Sequence, residues 1–150
     1  MVVVLGIIAI LALMTLPLYI ERNVQQQVKD GLAFAEFMQR GVASAYALTG
    51  TLPKDNAAAG LPAPDKVIGN FVTSGTVADG AITLVFGNLA VSNIKGKKVT
   101  LRPGYVPDAP QVPVSWVCGP GRIPTGLTVA GKDATDLPEA WLPAACRPTK

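Results

Sequence analysis

The pattern of apolar residues changes along the chain, and each change predicts a different element. Residues 1–20 form an apolar run that holds no charged side chain and ends at Glu21 and Arg22. At a helical rise of about 1.5 Å per residue this run is about 30 Å long, the hydrocarbon thickness of a bilayer. We therefore expect a helix that lies in lipid or is enclosed by protein on all sides.

Beyond Ile20 the apolar residues recur every three or four positions, which is the spacing of one face of an amphipathic helix. The stripe comprises Val24, Val28, Leu32, Ala35, Met38, Val42, Ala45 and Thr49, and it is widened by Phe34, Phe37 and Tyr46. Gly50 and Pro53 supply the stop signal. The pattern therefore predicts a single rod from residue 1 to residue 49, with a length of about 70 Å.

Three residues inside this rod disfavour a regular helix. Pro17 removes a backbone donor at a cost of about 3 kcal/mol. A passive anchor gains nothing from this defect, whereas a helix that bends or partly unwinds when its surroundings change could use it. Gly31 and Gly41 each cost about 1 kcal/mol relative to alanine. Either a well-packed helix tolerates these glycines, or another backbone approaches them closely, as in helix-to-helix packing.

After Gly80 the apolar period becomes two, which indicates strands. The preceding connection, residues 50–80, is rich in Gly, Ala, Pro and Asp, and only its residues 67–73 could form a short strand. Strands are predicted at 81–86, at 98–102 with an end at Pro103-Gly104, at 114–118 and at 127–129, with a turn at 93–97. The short connections favour antiparallel pairing, and the helix stripe can cover one face of the sheet.

The predicted fold class is therefore α+β, with a long N-terminal helix whose apolar half projects from a small antiparallel sheet. The chain divides into a hydrophobic segment (residues 1–20), an amphipathic helix packed on the sheet (21–50), a connecting loop (51–80), the sheet (81–118) and a C-terminal region (119–150).

Cys118 and Cys146 are the two cysteines. They predict one disulfide in an oxidising compartment, with two unrelated buried thiols as the alternative. Trp141 and Leu142 are expected beneath the closed loop, which we place at the distal end of the domain.

No catalytic or cofactor-binding arrangement is predicted. Histidine is absent, so the sequence holds no Ser-His-Asp or Cys-His arrangement. Asp133 and Asp136 indicate a solvated turn, with a calcium contribution as the alternative. Lys95, Lys97 and Lys98 indicate a solvated hairpin; the alternative is a weak DNA-contacting patch, since the net charge is only +3.

Both ends of the chain resemble the type IV pilins. The uncharged N-terminal helix with Pro17 shortly before Tyr19 is similar to theirs. The C-terminal run resembles the disulfide region of the type IVa major pilins of Gram-negative bacteria, in the segments VSWVCG (114–119), PTGLTV (124–129), LP (137–138) and LPAACR (142–147). The order of elements between the two ends also agrees, whereas residues 50–113 carry no motif of this kind.

The N-terminus of this sequence differs from that of the type IV pilins. Such pilins have a short basic leader, cleaved before a methylated residue, and a glutamate at the fifth mature position. Alignment on Pro17 places that glutamate immediately before Met1, so we expect the sequence to lack about five mature residues by this alignment. No residue of this sequence can be assigned the role of the glutamate.

The resemblance implies a structural filament subunit and no enzyme or cofactor. Its implied partners are copies of itself, the pilus assembly machinery in the inner membrane, membrane lipid before assembly, and DNA or a host surface. The residues implied in the filament core or membrane are Val2, Val3, Val4, Leu5, Ile7, Ile8, Ile10, Leu11, Leu13 and Leu16. A helix break is expected at Pro17, with residues 9–16 losing regular helix in the filament.

Several related functions remain open from the sequence. The implied roles are adhesion, twitching motility, DNA uptake and phage attachment, on a surface pilus. The alternatives are a minor pilin, a DNA-binding competence pilin, a type II secretion pseudopilin and a plain single-pass membrane protein with a small periplasmic domain.

Overall fold

The computed structural model describes residues 1–149, so Lys150, the last residue of the predicted C-terminal region, lies outside it. Helix α1 covers Val2–Phe34 and helix α2 covers Glu36–Thr49. Ala35 separates them with right-handed helical backbone angles, and its N–H still contacts the carbonyl of Gly31. The helices thus form one rod with a local irregularity at Ala35. The predicted continuous helix is confirmed, and it ends where Gly50 adopts a left-handed conformation (φ 72°).

A single antiparallel sheet packs on this rod, as predicted. Its strands are β1 (Val72–Ala78), β2 (Ala81–Phe86), β3 (Lys98–Tyr105), β4 (Ser115–Cys118) and β5 (Thr128–Val129). The strand order is β1-β2-β3-β4, and β5 also pairs with β3. The α+β fold class is therefore confirmed. Strand β2 has its predicted extent, β4 and β5 each begin one residue later than predicted, and β1 and β3 differ by more.

Strand β1 lies in the connecting segment, where only residues 67–73 are predicted as a possible short strand. Residues 67–71 are not in a strand, and the loop assignment of residues 74–78 is wrong. The sequence does not predict this strand because Gly75 lies in its middle and glycine disfavours strands. The structure gives the physical reason for the glycine. A Cβ at position 75 would lie 2.7 Å from the sulfur of Met38 and 2.7 Å from Cγ1 of Val67. No side chain fits between the helix and the strand at that point.

Strand β3 continues through Pro103 and Gly104, where it was predicted to end. The ladder between β2 and β3 stops at Leu101. Pro103 therefore interrupts no hydrogen bond with β2, and the strand pairs only with β4 and then with β5. A proline is tolerated at this position because the ladder with β2 has ended and its missing N–H is not needed there. The carbonyl of Pro103 accepts a hydrogen bond from the N–H of Ala130 (3.1 Å).

The core lies between the helix stripe and one face of the sheet. The predicted alternation of β2 is confirmed, since Ile82, Leu84 and Phe86 are buried and Thr83 and Val85 are less so. From the helix, the buried side chains are Val24, Val28, Ala35, Met38, Val42 and Tyr46. Ala45 is only half-buried and Thr49 is exposed, so the stripe ends on Tyr46 instead of on these two predicted members.

The two helical glycines face this chain's own domain. A Cβ at Gly31 would meet the ring of Phe86, and a Cβ at Gly41 would meet the Leu61 side chain and the Ala59 carbonyl at 2.9 and 3.0 Å. Close approach is therefore the reason for both glycines. The neighbour at Gly41 is a loop backbone and the neighbour at Gly31 is a side chain, so neither glycine packs against another helix within the chain.

Candidate functional site

The apolar half of helix α1 projects from the domain, and each of residues 1–20 is exposed. None of its apolar window is buried, and the helix is long and apolar enough to cross a bilayer by length and composition. The residues assigned to a membrane or filament core are each more than half exposed: Val2, Val3, Val4, Leu5, Ile7, Ile8, Ile10, Leu11, Leu13 and Leu16. Burying one large aliphatic side chain contributes about 1.5–3 kcal/mol. This surface therefore strongly favours lipid or another apolar partner over water.

The helix passes through Pro17 without a break in the single chain. Proline has no N–H, so the carbonyl of Leu13 has no helical donor within the chain. Thr15 uses its hydroxyl to donate to the carbonyl of Ala12 (3.2 Å). The break expected at Pro17 concerns the filament, and for that state it stays a prediction.

The disulfide joins Cys118 at the end of β4 to Cys146, with 4.6 Å between the Cα atoms. Both cysteines of the chain are used in this bridge, and the alternative of two unrelated thiols is wrong. Cys146 and Leu142 are buried in the main core, and Trp141 packs against that core. The bridge therefore fastens the C-terminal segment to the sheet.

The C-terminal segment is expected at the distal end of the domain, and this expectation is wrong for part of it. Its strand β5 pairs with Gly104 and Tyr105, but its later part reaches the start of the amphipathic helix. There the side-chain amide of Gln25 donates to the carbonyl of Ala140 (2.9 Å). Arg147 holds the same turn by donating from Nε to the carbonyl of Leu142 (2.8 Å). The segment thus reaches the end of the domain from which the apolar helix projects.

A second loop reaches the same end of the domain. We call residues 87–97, which connect β2 to β3, the junction loop. The N–H of Val91 donates to Oε1 of Gln27 (2.9 Å). Residues of both elements line a shallow groove beside the end of the apolar segment: Tyr19, Ile20, Asn23, Val24, Val91, Ser92 and Asn93. Ile94 is completely buried and fixes the loop on the core.

Lys95, Lys97 and Lys98 lie at the end of the junction loop and the start of β3. Lys95 and Lys98 are exposed, and Lys97 is half-buried. Among residues 1–149, one ion pair is present, and it joins Lys66 to Asp65. No carboxylate therefore lies within 4.0 Å of the ammonium groups of Lys95, Lys97 and Lys98. The predicted turn at 93–97 is present as a hydrogen-bonded turn.

Asp133 and Asp136 are used as backbone acceptors. Asp136 accepts from the N–H of Lys98, and Asp133 accepts from the N–H of Thr135 (3.0 Å). Within the described part of the chain, no three His, Cys, Asp or Glu residues cluster as metal ligands would. Asp136 therefore fastens the C-terminal segment to β3, and Asp133 stabilises a turn within that segment.

Sequence reasoning missed the docking roles of Gln25 and Gln27. Neither residue is singled out as a contact residue from the sequence. Their one sequence signal is position, because they flank Val24 and Val28 at the edge of the buried stripe. Long amides at such an edge can reach a neighbouring backbone, but the sequence does not say which loop arrives there.

The sequence is similar to known filament proteins. The sequence profile of the pilin family, described as bacterial filament proteins, matches residues 25–147. A type IV major pilin protein PilE1 of Neisseria gonorrhoeae is 32% identical, with 97% of this chain and 88% of the relative covered. A fimbrial protein of Neisseria meningitidis serogroup B is 29% identical with the same coverage. Fimbrial protein EcpC of Eikenella corrodens is 28% identical, over 97% of this chain and 84% of that relative.

Proposed function

This chain belongs to the pilin family, and we propose that it builds a type IV pilus by packing its N-terminal hydrophobic helix against those of other copies. It is a structural subunit and not an enzyme. The observation that carries the proposal is the exposed apolar half of α1, none of whose apolar window is buried by the domain. A surface of this kind needs either lipid or an equivalent apolar environment among its neighbours.

Two states of the subunit follow from this surface. Before assembly, residues 1–20 hold the subunit in the inner membrane, where the assembly machinery extracts it. After assembly, the same residues form the core of a surface filament and the domains form its outside. Val2, Val3, Val4, Leu5, Ile7, Ile8, Ile10, Leu11, Leu13 and Leu16 are the side chains exchanged between the two environments.

We favour a major subunit over a minor pilin or a type II secretion pseudopilin, because the gonococcal relatives are named major pilins. The role of the pilus is adhesion, twitching motility, DNA uptake or a combination of them. A host surface and DNA are the corresponding external partners.

A pair of leucines on the same helical rod, one in α1 and one in α2, provides the test. Leu11 and Leu48 are both exposed, at 57% and 87%, but only Leu11 lies in the apolar half. Leu11→Asp should abolish filaments that can be sheared from the cells, since a carboxylate at the centre of an apolar span costs about 2.5–3.5 kcal/mol. Leu48→Asp is the matched control and should leave the filament yield unchanged.

Fractionation of the same cells separates the two states. Loss of Leu11→Asp from the filaments, with or without loss from the membrane fraction, supports the proposal. Normal filament yield from Leu11→Asp would overturn it, because the apolar half would then not be needed for assembly. If filaments are abundant but contain little of the wild-type chain, the protein is instead a minor subunit.

A further inference from the structure

The junction loop lies where a bilayer surface would be. The groove beside Ser92 and Asn93 is shared with Tyr19 and Ile20, the last residues of the apolar segment. The hydrogen bond between Val91 and Gln27 holds the loop at this level of the helix. The loop therefore occupies a fixed depth relative to any membrane that holds the apolar segment.

That depth is set by the first charges of the chain. Glu21 and Arg22 end the apolar run, so the hydrocarbon boundary lies near Ile20. Tyr19 suits this boundary because tyrosine is enriched at the membrane–water interface. The headgroup layer extends about 5–7 Å beyond the hydrocarbon on each side. Groups beside Tyr19 and Asn23, including Ser92 and Asn93, therefore fall in the headgroup layer.

The charges of the loop fit an anionic surface. Lys95, Lys97 and Lys98 follow Ser92 within six residues of sequence, on the part of the loop that returns to the end of β2. Their ammonium groups have no carboxylate within 4.0 Å, and Asp136 accepts from the backbone N–H of Lys98. The helix beside the loop carries exposed charges of both signs, which are Glu21, Arg22, Lys29 and Asp30. A further exposed acid, Glu139, precedes Ala140, whose carbonyl Gln25 contacts. Attraction between lysines and anionic headgroups acts over a Debye length of about 8–10 Å.

We propose that the junction loop is a lipid-binding surface, whose tip at Ser92 and Asn93 enters the headgroup layer while Lys95, Lys97 and Lys98 attract the anionic headgroups of the bilayer that holds the apolar helix. The inference rests on the proposed function, because it concerns the subunit in the membrane before assembly. The contact seats the domain on the membrane surface and fixes its orientation around the helix. Nucleic acid fits the patch less well, because the patch lacks interleaved aromatic residues and faces the end of the domain nearest the membrane.

The full chain in lipid vesicles tests the inference. Spin labels are placed on Ser92→Cys, on Leu48→Cys as the distal control and on Ala9→Cys as a marker of insertion. The vesicles contain phosphatidylcholine, with or without phosphatidylglycerol. We expect the label at position 92 to be several-fold less accessible than the label at position 48 to a water-soluble paramagnetic nickel complex. Phosphatidylglycerol should increase this protection.

The combined substitution of Lys95, Lys97 and Lys98 by Gln should remove the dependence on phosphatidylglycerol. Equal accessibility at positions 92 and 48, or a protection that the lysines do not influence, would overturn the inference. If the triple variant instead reduced DNA retention by filaments while the protection stayed unchanged, the patch would be a nucleic-acid site and the inference would be wrong. The label at Ala9 separates this failure from another: if it does not enter the bilayer, the proposed membrane-held state itself fails.

Discussion

The ring of Phe86 lies so close to Gly31 that a Cβ at position 31 would stand 2.5 Å from its Cε1 atom. Phe86 is among the largest fully buried side chains, so its ring is enclosed by the core. The helix is thus seated on the sheet at the point where the domain begins. This contact sets how closely the rod and the sheet approach each other.

We predict that Gly31→Ala destabilises the domain, although the same change in an open helix stabilises it by about 1 kcal/mol. Overpacking a dense core costs typically about 1–3 kcal/mol, and here it should exceed the helical gain. Urea unfolding of the detergent-solubilised chain measures the difference. The double variant Gly31→Ala/Phe86→Leu should be less destabilised than the sum of the two single variants. Additive effects would show that the two residues do not compete for space.

A buried asparagine covers the edge of the sheet. Asn56 is 4% exposed. Its side chain accepts from the N–H of Val77 (2.7 Å) and donates to the carbonyls of Gly75 (3.0 Å) and Pro62 (2.8 Å). The amide therefore pairs with β1 in the way a neighbouring strand would, at the side of the sheet where no strand follows.

We predict that Asn56→Ala lowers the free energy of unfolding by about 2–4 kcal/mol, because it leaves buried backbone groups of β1 unpaired. Asn56→Asp should be as harmful, since a carboxylate would face the carbonyls of Gly75 and Pro62 without a proton to donate. Thermal unfolding followed by circular dichroism checks both. Asn70→Ala, at an exposed position, is the control and should change little. Wild-type stability in Asn56→Ala would show that the edge needs no such cover.

The disulfide closes a separation of 28 residues. On the chain-entropy account, its removal by Cys118→Ser/Cys146→Ser should cost about 3–4 kcal/mol. Because the bridge fastens the segment that Gln25 contacts, the loss should appear first as protease cleavage within residues 119–147. Limited proteolysis followed by mass spectrometry locates the cuts. Initial cleavage in the junction loop would contradict this order.

Pro17 gives a prediction about the assembled state. We expect residues 9–16 to lose regular helix in the filament, because the carbonyl of Leu13 already lacks a helical donor. Pro17→Ala restores that donor, so the variant should keep a continuous helix if it assembles. Maps of the two filaments provide the comparison. A continuous helix before Pro17 in the wild-type filament would rule out the predicted opening.

The helix was predictable from the sequence to a greater extent than the sheet. The spacing of Val24, Val28, Met38 and Val42 follows helical geometry alone, so their burial could be read from the pattern. Tyr46 replaced Ala45 and Thr49 at the end of the stripe because its ring packs on Tyr105 (5.4 Å between centroids), a contact far away in sequence. Local periodicity contains no information about such a partner.

Strand β1 was not predictable because its most unusual residue, Gly75, is explained only by Met38 and Val67, which reach the strand through the fold. The candidate site divides in the same way. The apolar half and the cysteine pair are properties of composition and were visible in the sequence. The position of the junction loop and of the C-terminal segment near the membrane end depends on Gln25 and Gln27, whose partners only the fold brings to them.

The most direct test of the central claim is cryo-electron microscopy of filaments sheared from the cell surface. We predict thin filaments whose density traces this chain, with residues 1–20 bundled along the axis and the sheet domains outside. Filaments built from another chain would contradict the assignment as the major subunit. Retention of the protein wholly in the membrane fraction, with no filament containing it, would contradict the claim that the exposed helix exists to pack against copies of itself.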